Sequence, residues 1–162
     1  MANAKNVTAD KTRMLAYMKC KSVSIGVETG DMSMRKMLNR REHPKDIVRA
    51  VKLMKIQGIR VSSFNMIGLP FETEETIKAT IELNRAAEIE HPNISLFMPL
   101  EGTKLYDISV KNGFYNPSKK AALRTDKPSL DLPGISMERL EYYYQNFHTL
   151  VTGDKKHDNS DS

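Results

Sequence analysis

The chain has 162 residues, enough for one domain of ordinary size, and its 40% apolar residues can fill one hydrophobic core. Apolar residues recur through the first 150 positions, which excludes uniform disorder. Their longest stretches fall far short of the roughly 20 residues of a membrane-spanning helix, and no signal-peptide core is visible. The single cysteine, Cys20, excludes an intramolecular disulfide, and we expect a cytoplasmic protein.

Charge is distributed unevenly along the sequence. Residues 1–60 carry 14 Lys and Arg against 5 Asp and Glu, whereas residues 61–162 carry 11 against 15. A basic half can indicate a nucleic-acid-binding face, but these basic residues fall between the apolar positions of predicted helices, which favours a solvated helix surface. Trp is absent and no basic run alternates with aromatic residues. The sequence therefore disfavours nucleic acid as a partner.

Helical and strand-like segments alternate along the chain, each helix opened by a capping residue or a proline. In the first half, the predicted elements are a helix from Thr8 to about Cys20, a strand over 22–27, a helix from Asp31 to about Arg40, a helix that opens at His43-Pro44 and stops just before Gly58, and a strand over 59–67. In the second half, they are a helix starting at Thr73, a turn at Pro92-Asn93, a strand over 94–98, a short helix from Thr103 to Gly113, an irregular segment over 116–134, a helix capped by Ser136, and a disordered polar tail over 153–162.

The strands start near residues 22, 59 and 94, a step of about 36 residues that is typical of βαβ units with parallel strands. Three strands cannot close an eight-stranded barrel, which takes about 250 residues. The predicted fold class is therefore α/β, as a partial (βα) barrel domain over residues 1–152. Its strand edges would be unpaired, which indicates that the chain is incomplete or needs a partner.

Ligands of parallel α/β folds bind at the carboxyl ends of the strands, so three loops are candidates for a site. They are Gly26-Val27-Glu28-Thr29-Gly30, Asn65-Met66-Ile67-Gly68-Leu69-Pro70, and Met98-Pro99-Leu100-Glu101-Gly102-Thr103. A carboxylate at a strand end, such as Glu28, can accept hydrogen bonds from ribose hydroxyls; the alternative is a solvated loop carboxylate. Arg40 could reach back toward a ligand carboxylate only through its long side chain; the alternative is an ordinary cation at a helix end.

Other catalytic patterns are absent from the sequence. The four histidines are scattered without the spacing of metal ligands, and the eight glycines form neither a Walker loop nor a G-x-G-x-x-G motif. The sequence therefore predicts no metal ligands and identifies no catalytic residue.

Five segments of the chain together carry a resemblance to a known family. They read CKSVSIGVETG over 20–30, LNR over 38–40, GI over 58–59, MIGLPFET over 66–73 and MPLEGTKLY over 98–106. This set resembles the radical S-adenosylmethionine (SAM) superfamily, and most closely its cobalamin-associated branch of Fe–S oxidoreductases. The resemblance covers nearly the whole chain, roughly residues 5–150.

The resemblance implies a partial barrel that binds SAM and a [4Fe-4S] cluster for radical chemistry, with cobalamin as a further cofactor of the branch. By position, Glu28 matches the residue that contacts the SAM ribose, and Arg40 matches an arginine that meets the SAM carboxylate. Asn65 and Gly68, at the end of the second predicted strand, complete the implied cofactor-binding set.

The sequence departs from the family pattern in ways that limit what the chain can do. The cluster-binding CxxxCxxC loop and the first barrel strands are absent, and Phe71 replaces a usual glycine. The resemblance therefore implies the C-terminal part of a radical SAM enzyme, inactive alone, whose partners are a missing N-terminal barrel half or a second copy, and a small-molecule substrate. The alternatives are a non-catalytic α/β module that binds a nucleotide or a partner, and the RNA-binding half of a tRNA-modifying radical SAM enzyme.

Overall fold

The computed structural model describes residues 3–119 and 127–153. Within these residues, strands and helices alternate as predicted. The strands are β1 (Ser22–Glu28), β2 (Arg60–Ile67) and β3 (His91–Leu96). The helices are α1 (Ala9–Tyr17), α2 (Met32–Met37), α3 (Pro44–Ile56), α4 (Glu74–Ala86), α5 (Lys104–Lys111) and α6 (Met137–Thr152), with single 3₁₀ turns at Ala4–Asn6 and Pro117–Lys119.

The three strands form one parallel sheet in the order β1-β2-β3. This arrangement confirms the predicted α/β fold class with three parallel strands and flanking helices. All strands run the same way, so their carboxyl ends meet at one edge of the sheet. At that edge Glu28 lies opposite Asn65, and the register of β1 shifts between Gly26 and Glu28.

Helices cover one face of the sheet, and the hydrophobic core lies between them and the strands. Side chains alternate along β2, so that Val61 and Ile67 are buried under the helices while Phe64, on the opposite face, is 45% exposed. Helices α3 and α4 pack on β2, and α6 packs on β3 and α4. On the face that carries Phe64, Ser62 and Met66 are only partly buried.

Helices α1 to α5 all end in the same way, which returns the chain to the next element in a fixed direction. In each, the second residue after the cap donates its N–H to the carbonyl five residues earlier, around a residue of positive φ. This arrangement is the Schellman motif. The residues of positive φ are Lys19, Asn39, Gly58, Glu88 and Gly113.

Three predicted elements differ from the structure. Helix α1 ends at Tyr17 rather than about Cys20, and helix α2 ends at Met37 rather than about Arg40. In both, a residue turns left-handed, Lys19 at φ 58° and Asn39 at φ 54°, and closes the Schellman motif. Strand β3 includes Pro92 and Asn93, which were expected to form a turn. A proline is tolerated there because β3 lies at the end of the sheet order, where one side of the strand needs no N–H donor.

The predicted tail lies, apart from Gly153, outside the described residues. In the part of the chain that the structure describes, no helix combines the length and the apolar character needed to cross a membrane.

Candidate functional site

The loop after β1 presents Glu28 in an uncommon backbone conformation. Glu28 has φ 63°, and the Thr29 N–H donates to the Val27 carbonyl at 2.8 Å, which closes a three-residue turn around it. A three-residue turn with positive φ at its centre is rare and strained, and strain of this kind is concentrated at functional sites. The turn places the Glu28 carboxylate at the carboxyl edge of the sheet.

Arg40 lies against Glu28 and forms an ion pair with it, from Nη2 to Oε1. The side chains of Glu28 and Arg40 are 14% and 28% exposed, so the pair is partly buried but open to solvent. The Schellman motif at Asn39 turns the chain back, and the Arg40 N–H donates to the Arg35 carbonyl at 2.8 Å. The structure thus brings together the two residues that the sequence pairs by position.

A second acid, Glu42, lies behind this pair. Its Oε1 is 3.8 Å from Nη1 of Arg40, and its Oε2 is 3.7 Å from Nη2 of the buried Arg35. Glu42 and Arg35 carry no recognisable signal in the sequence, because an acidic and a basic residue near a helix end are ordinary. Only the fold shows that both are buried, at 6% and 1% exposure.

Asn65 is directed away from Glu28, toward the helix-covered face. Its Nδ2 donates to Ser63 Oγ and to the Asn93 carbonyl, both at 2.9 Å, and its Oδ1 accepts from Asn84 Nδ2 at 2.7 Å. The side chain is 2% exposed and fully engaged in this buried network. The predicted cofactor contact of Asn65 stays a prediction, and its side-chain contacts give it a structural role.

Gly68 lies in a loop that a buried carboxylate holds in place. Glu72 is fully buried, and its Oε2 accepts the N–H of Gly68 and, at 3.2 Å, that of Leu69. Burial raises the pKa of Glu72 to about 8, although the two N–H donors act in the opposite direction. Gly68, at φ 81°, therefore shapes the loop, and its predicted cofactor contact stays a prediction.

Cys20 lies near the amino end of β1, whereas Glu28 lies at its carboxyl end. Cys20 precedes β1, and eight steps along the chain, at about 3.3 Å each, separate it from Glu28, a span of up to roughly 26 Å. Its Sγ lies 3.4 Å from the Ser22 carbonyl. Among the described residues no group of three or more His, Cys, Asp or Glu could hold a metal ion. The residues of this chain do not fit a [4Fe-4S] cluster, which needs several thiolates.

Comparison with known families and sequences supports the resemblance. The profile of the radical SAM superfamily matches residues 2–83, about half of the chain, so the chain belongs to this superfamily. An uncharacterized methyltransferase of Pyrococcus horikoshii is 24% identical over 121 residues, which are 75% of this chain and 26% of the relative. A tRNA-2-methylthio-N(6)-dimethylallyladenosine synthase of Thermotoga petrophila is 31% identical over 85 residues, which are 51% of this chain and 19% of the synthase.

Solved structures show the same fold. Coproporphyrinogen III oxidase from Escherichia coli, a radical SAM enzyme, superposes with a TM-score of 0.66 over 94% of this chain and 31% of its own, at 13% identity. A radical SAM methyltransferase from Kitasatospora setae, with cobalamin and a [4Fe-4S] cluster bound, superposes with a TM-score of 0.56 over 61% of this chain and 18% of its own, at 21% identity. The chain thus spans less than a third of the length of these relatives.

Proposed function

We propose that this chain supplies part of the SAM-binding edge of a radical SAM enzyme, with Glu28 and Arg40 as the side chains that contact SAM. The observation that carries the proposal is the Glu28–Arg40 pair at the carboxyl edge of a parallel sheet, in a chain of this superfamily. Carboxyl strand ends are where parallel α/β folds bind ligands.

The donors and acceptors of the pair match the polar groups of SAM. The Glu28 carboxylate can accept hydrogen bonds from both ribose hydroxyls, and the Arg40 guanidinium can bind the carboxylate of the methionine moiety. In the pair each group already neutralises the other, so neither charge is left bare before a ligand arrives. Partial exposure of both side chains leaves room for hydroxyl and carboxylate groups to join or replace the contact.

When bound in a radical SAM enzyme, SAM supplies a 5′-deoxyadenosyl radical after reduction by the cluster. The cluster ligands must come from outside this chain, because Cys20 is its one cysteine and lies near the amino end of β1, whereas Glu28 lies at the carboxyl end. We therefore propose that the chain is inactive alone. Cobalamin use stays a prediction that rests on the family branch.

The open side of β1 is the site we propose for the missing part of the barrel. In the described sheet β1 pairs only with β2, so its other edge offers backbone N–H and carbonyl groups to a further strand. An N-terminal barrel half or a second copy of this chain would satisfy these groups. A small-molecule substrate would then bind inside the completed barrel.

Equilibrium binding of SAM to the 162-residue chain tests the role of the pair. A charge-assisted hydrogen bond contributes about 1.5–3 kcal/mol, so Glu28→Ala and Arg40→Ala should each raise the dissociation constant roughly 10- to 100-fold. The matched control is Arg41→Ala, which removes the exposed arginine next to Arg40 and should leave the affinity unchanged.

Two results would contradict the proposal. One is saturable SAM binding that neither variant weakens, which would place SAM elsewhere. The other is an absence of SAM binding at millimolar concentration by the folded parent chain, which would make the pair a structural contact. Circular dichroism of each variant confirms that the fold is retained.

A further inference from the structure

Arg35, on helix α2, is among the largest fully buried side chains of the described residues, at 1% exposure. We propose that Arg35 is the positioning residue that holds Glu28 and Arg40 in register with each other. The proposal rests on the proposed function for what this register achieves, but its structural part stands on contacts within the chain.

One end of the Arg35 side chain fixes the turn at Glu28. Nη1 donates to the Val27 carbonyl at 2.9 Å and to the Thr29 carbonyl at 2.8 Å. These two carbonyls belong to the Val27–Glu28 and Thr29–Gly30 peptide groups, so one nitrogen holds the chain just before and just after Glu28. The Val27 carbonyl also accepts the Thr29 N–H that closes the strained turn. Arg35 thereby stabilises a left-handed glutamate that would otherwise be disfavoured by about 1 kcal/mol or more.

The other end of the guanidinium holds the segment that follows Arg40. Nε donates to the Glu42 carbonyl at 3.0 Å, and Nη2 is 3.7 Å from the Glu42 carboxylate. The same carboxylate lies 3.8 Å from Arg40. Arg35 therefore links the chain just before and after Glu28 with the chain just after Arg40. Both predicted SAM contacts lie between these anchor points.

The buried Arg35 guanidinium is explained better by the arrangement of its hydrogen bonds than by a gain in folding stability. Well-packed apolar residues often replace buried ion pairs without loss of stability, so burial alone does not explain an arginine. The planar guanidinium has five donors in a fixed arrangement, which can reach three carbonyls and a carboxylate together. A lysine carries its three N–H donors on one terminal nitrogen, so it cannot occupy both the position of Nη1, which contacts the Val27 and Thr29 carbonyls, and the position of Nε, which contacts the Glu42 carbonyl.

Helix α4 holds the same loop from the other side. Thr80 Oγ1 accepts the Gly30 N–H at 2.9 Å and lies 3.3 Å from Thr29 Oγ1. The loop is therefore anchored at Gly30 by α4 and around Glu28 by Arg35. The α4 contacts hold Thr29 and Gly30, whereas Arg35 contacts both the Glu28 turn and the segment after Arg40. Arg35 is therefore the buried side chain expected to support the register of the Glu28–Arg40 ion pair.

The test compares Arg35→Lys with the parent in the full 162-residue chain, by nuclear magnetic resonance (NMR) and hydrogen exchange. We expect amide exchange at Thr29 to accelerate at least tenfold, because its acceptor carbonyl is released. The Arg40 side-chain Nε–H signal should shift and exchange faster with water. The affinity for SAM should fall about tenfold. A matched control, Arg49→Lys, alters an arginine that donates to the Val7 carbonyl at 2.8 Å and should change none of these readouts.

A second variant separates the two ends of Arg35. Glu42→Gln keeps Arg35 and removes the carboxylate charge beside both Arg35 and Arg40, so the Arg40 signal should shift directly while Thr29, still held through Nη1 of Arg35, should keep its protection. If Arg35→Lys does not fold, Glu42→Gln decides through Thr29 alone, and a loss of Thr29 protection there overturns the proposal. Unchanged Thr29 exchange and an unchanged Arg40 signal in a folded Arg35→Lys chain also overturn it. If these local signals change as expected but the parent chain binds no SAM, the positioning role is supported and the proposed function fails.

Discussion

Two loops at the carboxyl edge of the sheet each contain a residue of positive φ and are each held by a buried charged-type side chain, an arginine in one loop and a glutamate in the other. The loop after β1 holds Glu28 at φ 63°, and the loop after β2 holds Phe71 at φ 66°. Buried Arg35 donates to two carbonyls of the first loop, and buried Glu72 accepts from two N–H groups of the second. Each anchor also has one buried atom without a hydrogen bond, Nη2 of Arg35 and Oε1 of Glu72.

The difference between the two loops lies in how the buried charge is neutralised. Arg35 has the buried Glu42 carboxylate beside it, which opposes the lowering of its pKa by burial. Glu72 lies near Asp31, another acid, which adds to the effect of burial and raises its pKa further, to about 8. The first loop is therefore held by an arginine that has a buried carboxylate beside it. The second loop is held by a carboxyl group that is largely protonated at neutral pH.

The largest predicted effect follows from this difference. Between pH 4.5 and about 8 folded Glu72 keeps a proton that the unfolded chain releases, so the free energy of unfolding should fall as pH rises through this interval. At up to about 1.4 kcal/mol per pH unit, the total is on the order of 4 kcal/mol. Glu72→Gln should remove this dependence and stabilise the chain at pH 8.

Urea denaturation at pH 5 and pH 8 measures the effect, with the exposed Glu101→Gln as the control. Arg35 should contribute no pH dependence in the same interval. Equal slopes in the parent and in Glu72→Gln would show that Glu72 is ionised in the fold, and the contrast between the two loops would be lost.

The next largest effect concerns how closely each loop is packed. A Cβ on Gly30 would lie 2.1 Å from the Ala79 carbonyl oxygen in the backbone of α4, whereas a Cβ on Gly134 would lie 2.8 Å from Thr73 Cγ2 and 2.9 Å from the Glu72 carbonyl oxygen. We expect Gly30→Ala to destabilise the chain by about 3 kcal/mol and Gly134→Ala by about 1.5 kcal/mol. Thermal unfolding of both variants checks the order, and a smaller loss for Gly30→Ala would be inconsistent with the packing described.

The smallest effect tests the backbone strain that the loops share. At ordinary helical or extended positions alanine is more stable than glycine by about 0.5–1 kcal/mol, but at positive φ the order reverses. Phe71→Gly should therefore be more stable than Phe71→Ala by about 1 kcal/mol, since both lose the edge-on contact with Phe114 at 5.0 Å. Glu28→Gly and Glu28→Ala should show the same order. Alanine variants of equal or greater stability would mean that these residues are unstrained.

Local signals in the sequence were sufficient to predict the fold class and most element bounds. Thr8, Asp31, Thr73, Thr103 and Ser136 all cap helices as predicted, because a side-chain acceptor before an apolar periodic segment acts locally. The predicted bounds of β3 were wrong because the tertiary setting decides them. Pro92 is accepted in β3 only because of the position of that strand in the sheet.

The candidate site was predictable only in part. The positions of Glu28 and Arg40 followed from motif resemblance. Their contact depends on the change of chain direction at Asn39, and an asparagine after a short helix permits this change but does not require it. Arg35 and Glu42 were not predictable, since their burial depends on contacts between separate elements. The direction of the Asn65 side chain was also not predictable. Side chains alternate between the two faces along a strand, and in the structure Asn65 lies on the face away from Glu28. A one-residue difference in register would place it on the other face.

The central claim is that Glu28 and Arg40 bind the two ends of one SAM molecule, and NMR titrations of the ¹⁵N-labelled chain with adenosine and with methionine test it most directly. Adenosine should shift the amide signals of Glu28 and Thr29, methionine should shift the Arg40 side-chain signal, and SAM should shift both sets at lower concentration than either part. Adenosine and methionine shifts confined to other residues, or SAM shifts that leave Glu28 and Arg40 unchanged, would contradict the account.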